Sequence, residues 1–353
     1  MFVRDFDFDL PPELIAQDPP ALRGASRLLH LDRSTGALVH RAFADLPALL
    51  EPGDLLVVNN TRVFPARLLG RRDPSGGAVE CLLVTRLDGP RDDGAELWEA
   101  LVHPGQKLKP GARVVFDGEV VLHGEILERR FFGRRTVRLW TSDGSPVERA
   151  VDTIGHIPLP PYIKRADGAG DRERYQTVFA ASRGSIAAPT AGLHFTPGVL
   201  DALAARGVGR TEVTLHVGYG TFQPIRVDVV EEHQMETEHF EISAAAATAI
   251  NTALDAGRRV VAVGTTTTRT LESVARANGG RIVPGRGSTN LFIYPGFEFR
   301  VLRGLVTNFH LPQSSLLMLV SAFGGREHVL HAYREAVAAG YRFYSYGDAM
   351  VVL

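Results

Sequence analysis

The chain has 353 residues, of which 44% are hydrophobic and 22% are charged, and its formal net charge is -1. This composition is typical of a globular protein of about two domains and excludes a largely disordered chain. The near-zero net charge excludes a global basic field, so any RNA contact has to come from local patches. A single cysteine, Cys81, excludes an internal disulfide.

We expect a cytoplasmic protein with no membrane partner. The N-terminal "MFVRDFDFDL" lacks the basic and apolar regions of a secretory signal peptide. The longest apolar run, around Leu316, is far shorter than a membrane span.

The first half of the chain is predicted to be rich in strands. Phe6, Phe8 and Leu10 alternate with aspartates, which predicts an extended segment with one buried face. From about residue 67 to residue 140, short alternating segments are separated by Gly, Pro and Asp. That pattern predicts a unit of about six strands and favours a barrel over an open sheet.

After a proline-rich segment at residues 156–176, helical and strand-like stretches alternate, which predicts α/β layers. We therefore predict a discontinuous α/β domain formed by residues 1–65 and 151–353. A small all-β barrel domain is predicted as an insertion at residues 66–150.

Four consecutive threonines, Thr265–Thr268, follow the strand-like "VVAVG" and precede a helical segment. One interpretation is that a threonine simply caps the helix. The other is that Gly264, Thr265, Thr266 and Thr267 bind a carboxylate, a phosphate or a ribose at the carboxyl edge of a sheet. Arg269 and Glu272 could reach the same ligand.

Three further segments carry candidate site residues. They hold Thr190, Gly192 and His194 in "APTAGLHFTPG", His216, Gly218 and Gly220 in "TLHVGYGTFQPI", and Asn308, His310 and Ser314 in "LVTNFHLPQSSLL". Gln223 stands where a dinucleotide fingerprint requires a third glycine, which disfavours a nicotinamide site. No G-x-S-x-G elbow supports a hydrolase that would use Ser314 or Ser315 with His310. The spacing of His233 and His239 matches no common metal site, so no metal is predicted.

Local basic patches are the candidates for RNA binding. The RNA-binding candidates are Arg129, Arg130, Arg134 and Arg135, which surround Phe131 and Phe132, together with Lys164 and Arg165. Arginines could pair with phosphates and a phenylalanine could stack on a base. The alternative is a solvated hairpin whose arginine stems cover apolar surface.

Nine motifs in order resemble one known family, the S-adenosylmethionine:tRNA ribosyltransferase-isomerases of queuosine biosynthesis. They are "FDFDLPPELIAQ", "SRLLHLDR", "PGDLLVVNNTRVFPARL", "YQTVFA", "APTAGLHFT", "TLHVGYGTFQP", "VGTTTTRTLES", "TNFHLPQSSLLMLVSAF" and "YRFYSYGDAM". The resemblance extends from Asp5 to Met350. Asn60 and Gly24 stand where the family commonly has aspartate, so neither position is assigned acid-base work.

The resemblance implies a reaction in which the ribosyl unit of S-adenosylmethionine is transferred and rearranged. The implied acceptor is 7-aminomethyl-7-deazaguanine at the wobble position of a tRNA, and the implied products are epoxyqueuosine, adenine and methionine. It also implies an α/β domain with an inserted β-barrel and no tightly bound cofactor, with S-adenosylmethionine as co-substrate. We expect a monomer with no obligate protein partner.

The implied chemistry needs a base near the ribose C5′, whose protons the sulfonium acidifies, and an acid near the departing adenine. His194, His216 and His310 are the candidates for these roles. The threonines, Arg269 and Glu272 would hold the methionine or ribose portion. A non-catalytic RNA-binding module built on the β unit is the competing hypothesis.

Overall fold

The structure is a computed structural model that describes residues 1–87, 93–218, 220 and 224–353, with the backbone alone of Phe132. Gln223 therefore lies outside the described residues. Within these ranges, none of the helices combines the length and the apolarity that crossing a bilayer requires.

The described residues form seventeen strands. They are β1 (Arg27–Leu31), β2 (Leu38–Ala42), β3 (Leu55–Asn59), β4 (Thr61–Val63), β5 (Arg67–Asp73), β6 (Ala78–Arg86), β7 (Glu96–His103), β8 (Arg113–Phe116), β9 (Leu122–Arg129), β10 (Arg134–Thr141), β11 (Ser182–Ser185), β12 (Gly209–His216), β13 (Glu238–Ile242), β14 (Val260–Val263), β15 (Gly285–Thr289), β16 (Leu302–Asn308) and β17 (Ala349–Val352).

Eight α-helices accompany these strands in the described part of the chain. They are α1 (Leu46–Leu49), α2 (Val147–Ile154), α3 (Asp171–Arg174), α4 (Pro197–Ala205), α5 (Ala244–Asp255), α6 (Thr265–Ala277), α7 (Ser315–Gly324) and α8 (Arg326–Ala338).

The α/β part is built on a nine-stranded sheet of order β15-β13-β12-β3-β14-β16-β17-β1-β2. Its four central strands, β12, β3, β14 and β16, run parallel to one another. Parallel neighbours end at the same edge of a sheet, so His216, Asn59, Val263 and Asn308 mark one common carboxyl edge.

Helices cover both faces of this sheet, which explains why β14 is buried at every residue. Val260 and Ala262 face a core shared with α5, α6, α7 and α8. Val261 and Val263 face a second core that includes residues of α1 and α4. Continuous apolar strands of this kind are what two-sided burial requires.

The inserted unit is a closed antiparallel barrel of order β10-β7-β6-β5-β8-β9. Alternate residues of its strands, such as Val137 and Leu139, point into a core that also contains Cys81. Burial raises the pKa of the Cys81 thiol to about 12, which keeps it protonated and unreactive. The predicted α/β domain with an inserted small β-barrel is confirmed.

Two local predictions differ from the structure. Val3–Phe6 is a 3₁₀ turn, because the Asp5 carboxylate accepts the Phe2 N–H at 2.9 Å, so the predicted extended segment does not include its first residues. Its predicted burial pattern holds for Phe6 and Phe8. Helix α2 packs on the barrel core and runs past residue 150, the boundary predicted from the sequence.

The chain returns from the barrel to the α/β part at a tight crossing beside Gly155. The neighbouring residue His156 exchanges two backbone hydrogen bonds with Arg67, at 2.8 and 3.2 Å. A Cβ on Gly155 would lie 2.0 Å from the Pro65 carbonyl oxygen and 2.5 Å from that of Val151. The two connections between the units are therefore packed directly against each other.

We predict that Gly155→Ala destabilises the protein by about 1–3 kcal/mol, the usual cost of overpacking a tight contact. The free energy of unfolding by urea measures the effect. Gly170→Ala is the matched control, because nothing lies within 4 Å of its Cβ position. Equal stability of the two variants would contradict the tight crossing.

Candidate active site

A small cavity of about 70 Å3 opens at the carboxyl edge of the sheet, and we call it the threonine cavity. Its polar lining residues are Tyr162, Thr190, Thr265, Thr266, Thr307, Asn308, His310, Tyr344 and Ser345, and Gly264 and Val217 also line it. Five of the quoted sequence motifs, far apart in the chain, therefore meet at one place.

The threonine run begins helix α6 without capping it. Gly264 is the N-cap residue, at a φ of 87° that favours glycine, and it has no capping side chain. The prediction of a threonine cap was therefore wrong. Thr265 and Thr266 line the cavity, whereas the hydroxyls of Thr267 and Thr268 donate to the carbonyls of Val263 and Gly264. The first N–H groups of α6 lack intrahelical partners, as in any helix.

His194 is buried between two polar partners and does not line the threonine cavity. Its Nδ1 lies 2.8 Å from the Ser26 hydroxyl and its Nε2 lies 3.1 Å from Asn308 Nδ2. Burial lowers the pKa of His194 to about 4, so the imidazole is neutral at pH 7. With both ring nitrogens occupied, His194 is poorly placed for proton transfer to a substrate.

His310 lines the threonine cavity and is held by one hydroxyl. Its Nε2 lies 2.8 Å from Thr307 Oγ1, and its backbone N–H donates to the Tyr333 hydroxyl at 3.1 Å. Burial lowers the pKa of His310 to about 3. The ring is therefore a neutral and very weak base.

A larger cavity of about 410 Å3 lies between the barrel and the α/β part, and we call it the interdomain cleft. His216 lines it from the end of β12, with its Nδ1 2.8 Å from Thr61 Oγ1. A Cβ on Gly184 would lie 2.7 Å from the His216 ring, so the glycine allows close packing against the ring. Burial, and then the neighbouring His239, lower the pKa of His216.

The interdomain cleft combines aromatic surface with paired charges. Trp98 and Phe64 line it, and the guanidinium of Arg183 lies 5.0 Å from the centre of the Phe64 ring. Arg134 pairs with Glu236 at 2.7 Å and thereby links the barrel to the α/β part across the cleft. Gly218 also lines the cleft, and its N–H donates to Glu238 at 3.2 Å.

A groove of about 690 Å3, which we call the basic groove after Arg129 and Arg130, borders the cleft on the barrel surface. Phe131, which is 88% exposed, lines it together with three arginines and three glutamates: Arg129, Arg130, Arg134, Glu99, Glu128 and Glu236. Arg130 pairs with Glu128 at 3.4 Å. The groove and the cleft share Arg134, Glu236 and Thr237. The side chain of Phe132 lies outside the described part of the chain.

Arg135 and Arg165 are engaged within the protein. Arg135 is buried and donates to four backbone carbonyls, among them that of Gly105 at 3.0 Å. Arg165 pairs with Asp18 and Asp171, each at 2.7 Å. Lys164 is exposed at a distance from the groove lining.

Several other predicted site residues are engaged away from both cavities. The Glu272 carboxylate is fully buried and accepts the backbone N–H groups of Arg300, Val301 and Leu302. Arg269 pairs with Glu238 and donates to the Leu291 carbonyl. Ser314 caps α7 by accepting the Leu317 N–H at 3.2 Å.

Two of the predicted glycines have packing roles. A Cβ on Gly192 would lie 2.7 Å from the Thr177 side chain, and one on Gly220 would lie 2.8 Å from Glu236. Neither glycine lines the threonine cavity or the interdomain cleft.

Comparison with known proteins gives matches over the whole chain. A family model described as "Queuosine biosynthesis protein" matches residues 3–352. The chain is 53% identical over 353 residues to the S-adenosylmethionine:tRNA ribosyltransferase-isomerase of Heliobacterium modesticaldum, with 100% of both chains covered. It is 54% identical to the protein of the same name from Anaeromyxobacter dehalogenans, covering 100% of this chain and 99% of that one.

The chain belongs to this queuosine biosynthesis family. A solved structure agrees, since the crystal structure of S-adenosylmethionine tRNA ribosyltransferase from Thermotoga maritima matches with a TM-score of 0.55 and 39% identity. That match covers 99% of this chain and 100% of the other. The resemblance found in the motifs is thus confirmed.

The two departures from the expected family pattern fit their surroundings. Asn60 donates to Glu212 at 3.1 Å, a contact that an aspartate would replace with repulsion between two carboxylates. Gly24 has a φ of 85°, and a Cβ there would lie 2.8 Å from the Thr196 side chain. Neither residue lines the threonine cavity or the interdomain cleft.

Sequence patterns alone did not identify the residues that close the two cavities. Tyr344 and Ser345 lie in the motif "YRFYSYGDAM", whose many aromatic residues were a signal that could have identified them. Tyr162 lies in the proline-rich segment at residues 156–176. Trp98 and Arg183 come from segments that carried no recognisable motif. Their position depends on how the barrel packs against the α/β part.

We predict that Glu272→Ala lowers the free energy of unfolding by more than about 3 kcal/mol, because it leaves three backbone N–H groups without their acceptor. Chemical denaturation measures this loss. The control Glu327→Ala removes a carboxylate that is 76% exposed and should cost less than about 1 kcal/mol. A small effect at Glu272 would contradict its structural role in the family fold.

Proposed function

We propose that this chain transfers and isomerises the ribosyl unit of S-adenosylmethionine onto 7-aminomethyl-7-deazaguanine at the wobble position of a tRNA. The products are epoxyqueuosine in the tRNA, free adenine and free methionine. Membership of the queuosine biosynthesis family and the names of its relatives support the reaction class. The observation that carries the proposal is that the interdomain cleft, which holds His216, adjoins both the threonine cavity and the basic groove.

The reaction requires a neutral base near C5′ of the ribose, where the adjacent sulfonium acidifies the protons. His216 and His310 each have one ring nitrogen beside a threonine hydroxyl. Thr61 Oγ1 donates to the Ser182 carbonyl at 3.4 Å, and Thr307 Oγ1 donates to the Asn308 carbonyl at 3.3 Å. In the tautomer that this proposal requires, each hydroxyl accepts from its histidine, and the other ring nitrogen then has a free lone pair.

The pKa values favour His216 as the base. A general base is most effective when its pKa is near the working pH, and the pKa of His310, about 3, is far below it. His216 is only partly buried, so its ring keeps more contact with water than the buried ring of His310 does. His216 also faces the cleft, which is large enough for the ribose and a base.

The interdomain cleft suits the acceptor nucleobase. Trp98 and Phe64 offer rings on which a deazaguanine can stack. The aminomethyl group has to be neutral to attack, and neighbouring positive charge lowers the pKa of an amine. Arg86, Arg134 and Arg183 line the cleft, but each is paired with a lining glutamate, Glu96, Glu236 and Glu148 respectively, so their charge is balanced there.

The basic groove is the proposed contact for the anticodon loop. Arg129 and Arg130 would pair with phosphates, and the exposed Phe131 ring would stack on a loop base. The residues shared by the groove and the cleft give a flipped wobble base a short route to His216. Double-stranded parts of the tRNA are not needed for these contacts.

We predict that the protein releases adenine when it is incubated with S-adenosylmethionine and an anticodon stem-loop carrying 7-aminomethyl-7-deazaguanine. Chromatography detects adenine, and mass spectrometry of the nucleosides detects the heavier wobble product. A stem-loop with unmodified guanine is the control, since it lacks the attacking amine. RNA binding without S-adenosylmethionine binding would instead favour a non-catalytic RNA-binding module.

We predict that His216→Gln lowers kcat by about 10²- to 10⁴-fold, the usual contribution of a general base. In the wild type, turnover should fall as the pH drops through a pKa below 6.5, because burial lowers the pKa and protonation removes the base. The pH-rate profile of adenine release measures both effects. His123→Gln, on the barrel beside Ser142, is the matched control. If the fall in the rate of adenine release at low pH is unchanged in His216→Gln, a group other than His216 causes it.

A further inference from the structure

The side chain of Asn308 has an acceptor atom that nothing in the described structure satisfies. Asn308 is 1% exposed and lines the threonine cavity. Its Oδ1 is buried without a hydrogen-bond partner among the described residues. Burying an acceptor without a hydrogen bond is unfavourable, so its retention calls for a partner supplied from outside the chain.

The orientation of this amide is fixed by its other atom. Nδ2 donates to the backbone carbonyl of Tyr344 at 2.9 Å and to His194 Nε2 at 3.1 Å. A carbonyl can only accept, so the amide cannot be flipped. Because Nε2 accepts, the proton of neutral His194 is on Nδ1 and donates to Ser26 Oγ.

This arrangement leaves Oδ1 as the amide atom available to a ligand in the threonine cavity. Nδ2 is occupied by His194 Nε2 and the Tyr344 carbonyl, and Asn308 itself lines the cavity. Tyr344 supplies the fixing carbonyl from a backbone with a φ of 72°, which is unusual for a residue other than glycine. Tyr344 also lines the cavity, and its buried hydroxyl has no hydrogen-bond partner among the described residues.

The same cavity also offers donors. Thr265 and Thr266 are the first residues of the thirteen-residue helix α6, whose initial N–H groups and dipole favour a carboxylate. The threonine cavity therefore pairs a site for an anion with acceptors for an ammonium group. One ligand group that carries both is an α-amino-carboxylate.

We infer that the threonine cavity binds the α-amino-carboxylate end of S-adenosylmethionine, with the carboxylate at the start of α6 and the ammonium at Asn308 Oδ1. This inference rests on the proposed function. The cavity, at about 70 Å3, suits one polar end group and is far smaller than the roughly 300–1,000 Å3 of pockets for whole ligands. Val217 lines both the cavity and the interdomain cleft, so the sulfonium and ribose extend toward His216.

His194 has a positioning role in this arrangement. It does not reach the ligand but holds the Asn308 amide in the orientation that exposes Oδ1. We expect His194→Gln to raise the KM for S-adenosylmethionine more than it lowers kcat, whereas a catalytic base would mainly lower kcat. A fall in kcat with an unchanged KM would overturn this positioning role.

The test is calorimetric binding of three ligands to the full chain: S-adenosylmethionine, its decarboxylated analogue and its deaminated 2-oxo analogue. Removing a charged hydrogen-bonding group should weaken binding to the wild type by about tenfold to a hundredfold for either analogue. Asn308→Leu should abolish the discrimination against the deaminated analogue and keep that against the decarboxylated one. Thr265→Pro, which removes the first N–H of α6 at a position that tolerates proline, should do the converse.

Two further variants make the result independent of folding defects. Tyr344→Phe removes a hydroxyl that has no partner in the described structure, so it should fold normally and still lose part of the discrimination against the deaminated analogue. Thr270→Val is the control, because its hydroxyl donates to the Thr266 carbonyl at 3.0 Å and lies outside the cavity lining. It should leave all three affinities unchanged.

The outcomes separate this inference from the proposed function. Equal affinity of the wild type for all three ligands, together with adenine release from S-adenosylmethionine in the stem-loop reaction, would overturn the inference alone. The expected ranking without adenine release would support the cavity assignment and overturn the proposed reaction. Failure to bind S-adenosylmethionine at all would overturn both.

Discussion

The common carboxyl edge of four parallel strands is the constraint on which the rest of the site depends. Asn59 secures this edge, since its amide donates to the Leu215 carbonyl at 2.9 Å and accepts the N–H groups of Leu215 and Thr61. The ends of β3 and β12 and the start of β4 are therefore held in fixed register. With β14 and β16 alongside, the edge brings His216, the start of α6 and Asn308 together.

Burial sets the protonation state of the histidines at this edge. The three histidines have depressed pKa values because the folded protein removes them from water, so each is neutral near pH 7. Their hydrogen bonds then give them different roles: His194 uses both ring nitrogens inside the protein, whereas His216 keeps one for the cleft. The histidines therefore differ in function, and only their hydrogen bonds in the folded protein distinguish them.

The sequence predicted much of the fold because the fold depends on local patterns. The alternation in β5 to β10 predicted the barrel, and the fully apolar β14 fitted a strand covered on both faces. The threonine run was correctly located at a strand-to-helix turn, but the N-cap could not be predicted, because Gly264 takes a φ of 87° that only glycine adopts readily.

Individual site residues were harder to predict, since their roles depend on distant partners. Glu272 is close in sequence to Thr265 but accepts three N–H groups from residues 300–302. Arg135 belongs to an arginine-rich segment yet is buried against the backbone of the barrel. Trp98 lines the cleft only because the barrel packs against the α/β part, and Tyr344 lines the cavity because its backbone carbonyl is hydrogen-bonded to Asn308.

The central claim is that the threonine cavity and the interdomain cleft form one site for S-adenosylmethionine. A crystal structure of the full chain with S-adenosylhomocysteine tests this claim most directly. We expect the amino-acid end beside Asn308 and the start of α6, and the ribose beside His216. Density for the ligand in the basic groove, or with its adenosine in the threonine cavity, would contradict the account.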